Sequence, residues 1–268
     1  EIKSLKDSGF DITLQLLDHH ITGKVSAAKY DWYFLDDKRC ATKIVFDYLL
    51  KEFKAPLNDY KEWVDTVNAV DIWLENEKEN FEFGKVLMSM VTKAREINSI
   101  LFNSLDRDFK FYLLKNSIGF LSLENAPIVL DNSVHSLKKE FLKDGFDDTL
   151  DNLSASYLVK SLDKIKDDLT VYYNGQKGLM TYCLGAISIP ANSFLRANSD
   201  YDFFIDVGRK GNASFRADGK LDVSQLASKL GNGGGHVNAS GCKFDDFIDT
   251  INLQEVRAYI QNKLNNLK

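Results

Sequence analysis

The chain is poor in proline, cysteine and histidine: three, three and four of its 268 residues. So few prolines (Pro56, Pro127, Pro190), with no Pro/Ser-rich stretch, exclude a proline-rich linker and any low-complexity tract. Cys40, Cys183 and Cys242 lie far apart, are odd in number and show no zinc-ligand spacing. That excludes a disulfide framework and a Cys-based zinc site, and it fits a reducing, cytoplasmic setting in which the Asn-x-Ser/Thr matches at Asn152, Asn212 and Asn238 are accidental. No apolar run reaches the roughly 18 residues that a membrane span needs, so no membrane partner is expected. The charged, amphipathic start EIKSLKDSGF does not read as a signal peptide. An excess of positive charge is also missing. Lys and Arg number 34 against 39 Asp and Glu, for a net charge of −5, which argues against a protein that coats long nucleic acid. A small anion held in a local pocket stays open.

What is present is the composition of a globular α/β chain, 44% hydrophobic and 27% charged, with length for one large or two ordinary domains. Residues 11–17, DITLQLL, read as a buried strand of a parallel sheet, with Asp18, His19 and His20 at its C-terminal end. Residues 32–35 read as a second strand. Apolar residues at helical spacing mark helices over 39–53 and within 60–91 and 92–125, the last broken near 116–119. After Gly178 the pattern changes. Residues 179–189 are β-prone, and 203–207 with 213–216 flank a Gly-containing turn and read as a hairpin. Residues 223–230 read as a helix capped by Asp222 and ended by Gly231, and 253–267 as an amphipathic helix. The spacing predicts domains at 1–125 and 169–268, joined by a helical connector over 126–168.

Four places concentrate chemistry. Asp18-His19-His20 offers a carboxylate and two imidazoles where a strand turns out, a donor set suited to a divalent cation such as manganese. The same residues also fit a helix N-cap followed by two surface histidines. Gly233, Gly234 and Gly235, followed by His236 and Asn238, allow close backbone approach to an anion. They lack the lysine of a P-loop and follow a helix, unlike a dinucleotide fingerprint, and a flexible loop is the competing reading. Arg216, beside Phe215 at a strand end, suits bidentate phosphate binding or plain solvation. Asp71, within VDIW on an apolar helical face, needs a partner or a metal unless it sits on the helix rim. His135 stands in a polar stretch and takes no role.

Together these motifs resemble the DHH phosphoesterase family. LLDHH at 16–20 is similar to the motif that gives the family its name, and GGGHVNASG at 233–241 to the signature of the DHH-associated domain that follows it. DDKRCATKIVFDYL resembles the helix after the DHH motif, and VDIWLENE with FEFGKVL resembles the oligoribonuclease (nano-RNase) branch. The resemblance implies two α/β domains facing a cleft, the first with a mainly parallel sheet and the second a smaller mixed-sheet domain. It implies metal binding by His19 and Asp71 and catalytic roles for Asp18, which orients the site, and His20, which faces the phosphate. It implies substrate binding by Arg216, the Gly233–Gly235 backbone, His236 and Asn238. The implied activity is manganese-dependent hydrolysis of short oligonucleotides or linear dinucleotides to mononucleotides at a two-metal site, with a homodimer admitted. A phosphomonoesterase or exopolyphosphatase would share the metal site. A base-stacking aromatic distinguishes the nucleotide reading from the polyphosphate one, and Phe215 is the residue that points to it. The family's earlier aspartate- and histidine-bearing motifs have no match in residues 1–17. Truncation accounts for this better than degeneration, because a buried strand over 11–17 needs neighbours to pair with. A non-catalytic nucleotide-binding module is the rival that degeneration would produce.

Overall fold

In the computed structural model, which describes residues 2–267, the chain opens with helix α1 (Ile2–Asp7), strand β1 (Leu16–Asp18), the short helix α2 (Lys24–Ala27) and strand β2 (Tyr33–Leu35). Helices α3 (Ala41–Phe53), α4 (Lys61–Asp71), α5 (Lys78–Thr92), α6 (Asn103–Ser117), α7 (Ala126–Leu142) and α8 (Leu150–Asp163) follow. Strands β3 (Thr170–Tyr173) and β4 (Gln176–Tyr182) lead through α9 (Ser188–Ala197) to β5 (Phe203–Val207) and β6 (Asn212–Ala217). The chain ends with α10 (Val223–Leu230), β7 (Gly234–His236), β8 (Ala239–Lys243) and α11 (Leu253–Asn265). No helix among the described residues is long and apolar enough to cross a membrane.

Contacts divide the chain into two units. Unit 1 is Glu1–Lys93 with Leu113–Val134, and unit 2 is Ala94–Tyr112 with His135–Lys268. The division therefore interleaves: residues 94–112 group with the C-terminal part, and the 126–168 segment is shared out within α7.

In unit 1, β1 and β2 form a two-stranded parallel sheet in which Leu16, Leu17 and Asp18 pair with Tyr33, Phe34 and Leu35. The strand predicted over 11–17 is shorter and less buried than expected. Residues 11–15 carry no regular structure and Leu16 is exposed, because a strand extends only as far as its backbone groups find ladder partners. Helix α3 starts at Cys40, whose sulfur accepts from the Lys43 amide, and it buries Ile44 and Phe46. The helical pattern of 60–91 resolves into α4 and α5, packed closely where Gly84 meets α4. A Cβ at 84 would stand 2.8 Å from the Thr66 carbonyl oxygen and 2.7 Å from the Val70 side chain. Glycine permits this approach, which brings the C-terminal end of α4, with Asp71, firmly onto α5.

Unit 2 holds a six-stranded mixed sheet of order β3-β4-β5-β6-β8-β7. Only β4 and β5 are parallel, joined over α9; the other neighbours are antiparallel. Strand β4 ends at Tyr182 rather than near 189, since Cys183 and Gly185 take positive φ values of 57° and 85° and turn the chain out of the sheet. Phe194, Phe203, Phe204 and Phe215 are fully buried, each contributing about 1.5–3 kcal/mol of apolar burial. The predicted β5–β6 hairpin forms, and α10 starts at Asp222, whose Oδ1 accepts from the Ser224 and Gln225 amides at 3.0 and 3.2 Å.

Candidate active site

Unit 1 gathers the DHH residues at the C-terminal end of β1. Asp18 is the last strand residue, and its Oδ1 accepts from the His19 amide (2.8 Å), the His20 amide (3.1 Å) and His20 Nδ1 (2.8 Å). Its Oδ2 accepts from the Tyr33 hydroxyl at 2.5 Å. Both oxygens are therefore engaged in shaping the turn, and Asp18 is a positioning residue in this arrangement rather than a group facing substrate. The Tyr33 hydroxyl, with the His20 ring and the two amides, holds the Asp18 carboxyl well below the usual carboxylate range, and Asp18 in turn pushes the Tyr33 phenol up. His20 is largely exposed, with one ring nitrogen tied to Asp18.

His19 projects differently and is mostly covered. Its Nδ1 lies 3.6 Å from Asp71 Oδ2, at the end of α4. Two residues far apart in the sequence of unit 1 are thus brought together. Among the described residues no cluster of three or more His, Cys, Asp or Glu side chains is gathered to hold an ion. His19 and Asp71 nevertheless fit one. Two metal–ligand bonds of about 2.1 Å each can close on such a separation, and the imidazole–carboxylate pair suits manganese, iron or zinc.

Tyr33 was not legible as a site residue, since nothing in WYF distinguishes it from a core aromatic; its role follows from the β1–β2 pairing. Tyr33→Phe removes one bond to Asp18 and is expected to lower turnover about tenfold, the lower end for losing an outer-shell partner, while circular dichroism and thermal melting stay near wild type.

In unit 2 strand register puts three of the predicted substrate residues, Arg216, Gly234 and His236, on one sheet face, while Gly235 shares the opposite face with Phe215 and Gly233 and Asn238 lie outside the strands. Phe204, Arg216, Ala239 and His236 are successive cross-strand partners on β5, β6, β8 and β7. Directly paired residues point to the same side, so Arg216 and His236 flank Ala239 across two strand spacings, about 10 Å. The parallel row runs Asp206, Ser214, Gly241 and Gly234. The result is a shallow trough with a small-residue floor, a guanidinium on one wall and an imidazole on the other. Arg216 is held by Nη1 donating to the Phe215 carbonyl and Nη2 to Ser188 Oγ, both at 2.8 Å.

Gly234 and Gly235 belong to an edge strand, β7, with Gly233 just before it, rather than to an irregular loop. Two of these glycines answer to packing instead of to a ligand. A Cβ at 233 would meet the Gly241 and Ala227 carbonyls at 2.5 and 2.8 Å, and one at 235, where φ is 146°, would meet the Ala239 carbonyl at 2.6 Å. Gly234 alone lies in open space, its closest neighbour 3.9 Å away. Asn238 is also engaged structurally, its Oδ1 accepting from the Gly219 amide at 2.9 Å. Phe215 points away from the trough and is fully buried, so the stacking role suggested for it is excluded.

One further residue emerges only here. Asp206, buried in β5, accepts from Thr181 Oγ1 (2.8 Å) and from the Leu184 and Gly185 amides (2.9 and 3.0 Å). It anchors the loop that delivers Ser188 to Arg216. Burial pushes its carboxyl up, against the pull of these three donors. A lone carboxylate in the apolar run FFIDV was its only trace in the sequence.

Comparison with known proteins agrees with both halves. The DHHA1 domain matches residues 185–266, the stretch that carries the trough. The chain is 43% identical over 261 residues to a protein of Helicobacter pylori named 3',5'-cyclic-nucleotide phosphodiesterase, covering 96% of this chain and 75% of that one. It is 24% identical over 257 residues to oligoribonuclease NrnB of Bacillus subtilis, covering 90% of this chain and 55% of NrnB. The crystal structure of an uncharacterized protein from Helicobacter pylori G27 superposes with a TM-score of 0.87 at 42% identity, covering 99% of this chain and 79% of that one. The chain belongs to the DHH family of phosphoesterases, and it is by that membership a hydrolase with a C-terminal DHHA1 domain.

Proposed function

We propose that the protein is a divalent-cation-dependent phosphodiesterase that hydrolyses 3′,5′-phosphodiester bonds in short oligonucleotides or linear dinucleotides, releasing mononucleotides. The observation that carries this reading is the meeting of His19 and Asp71 at the end of β1. These two residues would hold the cation, expected to be manganese. When bound, such an ion supplies Lewis acidity, activating water and offsetting charge on the phosphoryl oxygens. Asp18 fixes the turn that presents His19, and its bond to His20 Nδ1 leaves Nε2 as the ring nitrogen free to face the substrate phosphate. Arg216 and His236 would bind the phosphate of the nucleotide, with Ala239 and Gly241 leaving room for it. The net charge of −5 suits short substrates, since a long strand needs an extended basic track.

A second substrate, a 3′,5′-cyclic nucleotide, is favoured by the name of the Helicobacter relative. The bond broken is of the same kind, and water adds across it in the same way. Incubation with manganese and either 5′-phosphorylated diadenylate or 3′,5′-cyclic AMP, followed by chromatography, separates the two. AMP from diadenylate is the expected result. AMP from the cyclic compound alone would move the substrate to that class. Hydrolysis of neither, phosphate release from polyphosphate only, or full activity in chelator would overturn the proposal.

A further inference from the structure

Helix α4 ends at Asp71 in a Schellman turn. Ile72 is its C-cap, donating to the Asn68 carbonyl, and the Leu74 amide reaches back to the Ala69 carbonyl at 2.8 Å. The residue between them must adopt the left-handed conformation, where glycine or asparagine normally stands. Here it is Trp73, at φ 60°. A bulky aromatic side chain is poorly suited to that backbone, so local stability does not explain the choice.

Nor does burial explain it. Trp73 is 59% exposed, whereas Trp63 donates to Ser117 Oγ and Trp32 stacks on Tyr30. Yet the exposed indole is not loose. Its Nε1 donates to Glu75 Oε1 at 2.7 Å, and its ring packs edge-to-face with the buried Phe81, centroids 5.0 Å apart. An aromatic ring is thus held in a fixed pose at the surface, at some conformational cost, two residues beyond Asp71. The Cα atoms of residues 71 and 73 lie within about 7.6 Å of each other along a trans chain, so the ring is anchored next to the Asp71 end of the site.

We infer that Trp73 is a stacking platform for the substrate's nucleobase, and that it makes the His19–Asp71 site selective for nucleotides over base-free phosphoesters. This rests on the phosphodiesterase reading of that site. Strain retained at a functional position has this form elsewhere in proteins, and an exposed π-face accepts any base without demanding a particular one.

The test compares AMP with ribose 5-phosphate, in the presence of manganese, by calorimetry and tryptophan fluorescence. Wild-type protein is expected to bind AMP about tenfold more tightly than ribose 5-phosphate, within the range that one base stack provides, with quenching of fluorescence. Trp73→Gly should bring AMP down to the affinity of ribose 5-phosphate while leaving the latter unchanged, and should melt no more than a few degrees from wild type. Trp73→Phe, which keeps a ring, should restore most of the preference without the quenching. Equal loss for both ligands in Trp73→Gly, or an unchanged AMP preference, would overturn the platform and leave the phosphoesterase site standing. If wild-type protein binds neither ligand, the reading of the site itself fails, and the platform with it.

Discussion

His19→Ala and Asp71→Ala are each expected to lose at least about a thousand-fold in manganese-supported turnover, because the metal centre proposed there would contribute several kcal/mol to stabilising a phosphoryl transition state. Both variants should keep their fold. Asp71 is half exposed at the last turn of α4, where a truncated side chain costs little packing. His19 is more covered, yet its side chain makes one long contact to Asp71 and a ring contact with His20, and its backbone bond to Asp18 is one that alanine retains. The decisive measurement pairs turnover of diadenylate with manganese affinity by calorimetry. Loss of both together, with far-UV circular dichroism unchanged, is the expected pattern. Normal turnover in either variant would refute the assignment of that residue.

Arg216→Ala is expected to raise KM by about 10–100-fold, the equivalent of one or two hydrogen bonds to a charged phosphate. Its guanidinium is already fixed by the Phe215 carbonyl and Ser188 Oγ. The planar fork therefore reaches an anion with little further loss of side-chain freedom. Arg216→Lys should rescue poorly, since an ammonium on a flexible stem lacks the fork that bonds these two groups at once. Ser188→Ala should show a smaller rise in KM, because it loosens the arginine without removing its charge. Steady-state kinetics on diadenylate checks all three. A KM unchanged in Arg216→Ala would mean that this sheet face does not bind substrate.

The local features were legible because their causes are local. The cap at Asp222 acts on amides two and three residues away, and the β5–β6 hairpin is set by its own turn. The DHH and GGGHVNASG motifs could be located on a strand end and beside a helix by the same short-range patterns. The predicted strand over 11–17 was overextended because apolar content alone does not say where ladder partners stop. Likewise, three consecutive glycines looked alike in sequence, although only Gly234 lies in open space while Gly233 and Gly235 make way for neighbouring backbone.

The sequence by itself determined the family, several of the helices, the β5–β6 hairpin and the candidate chemistry-bearing residues, but not strands β3, β7 and β8. Only the tertiary structure decided which of those residues act together. It set His19 3.6 Å from Asp71, bound Tyr33 to Asp18, aligned Arg216 with His236 across Ala239, buried Phe215 on the other face and left Trp73 exposed in a left-handed turn. The reason is physical. Propensity, capping and turn chemistry operate over a few residues. Strand register and helix packing are fixed by which apolar faces must be buried together, and a one-residue shift in register would send every side chain of a strand to the opposite face.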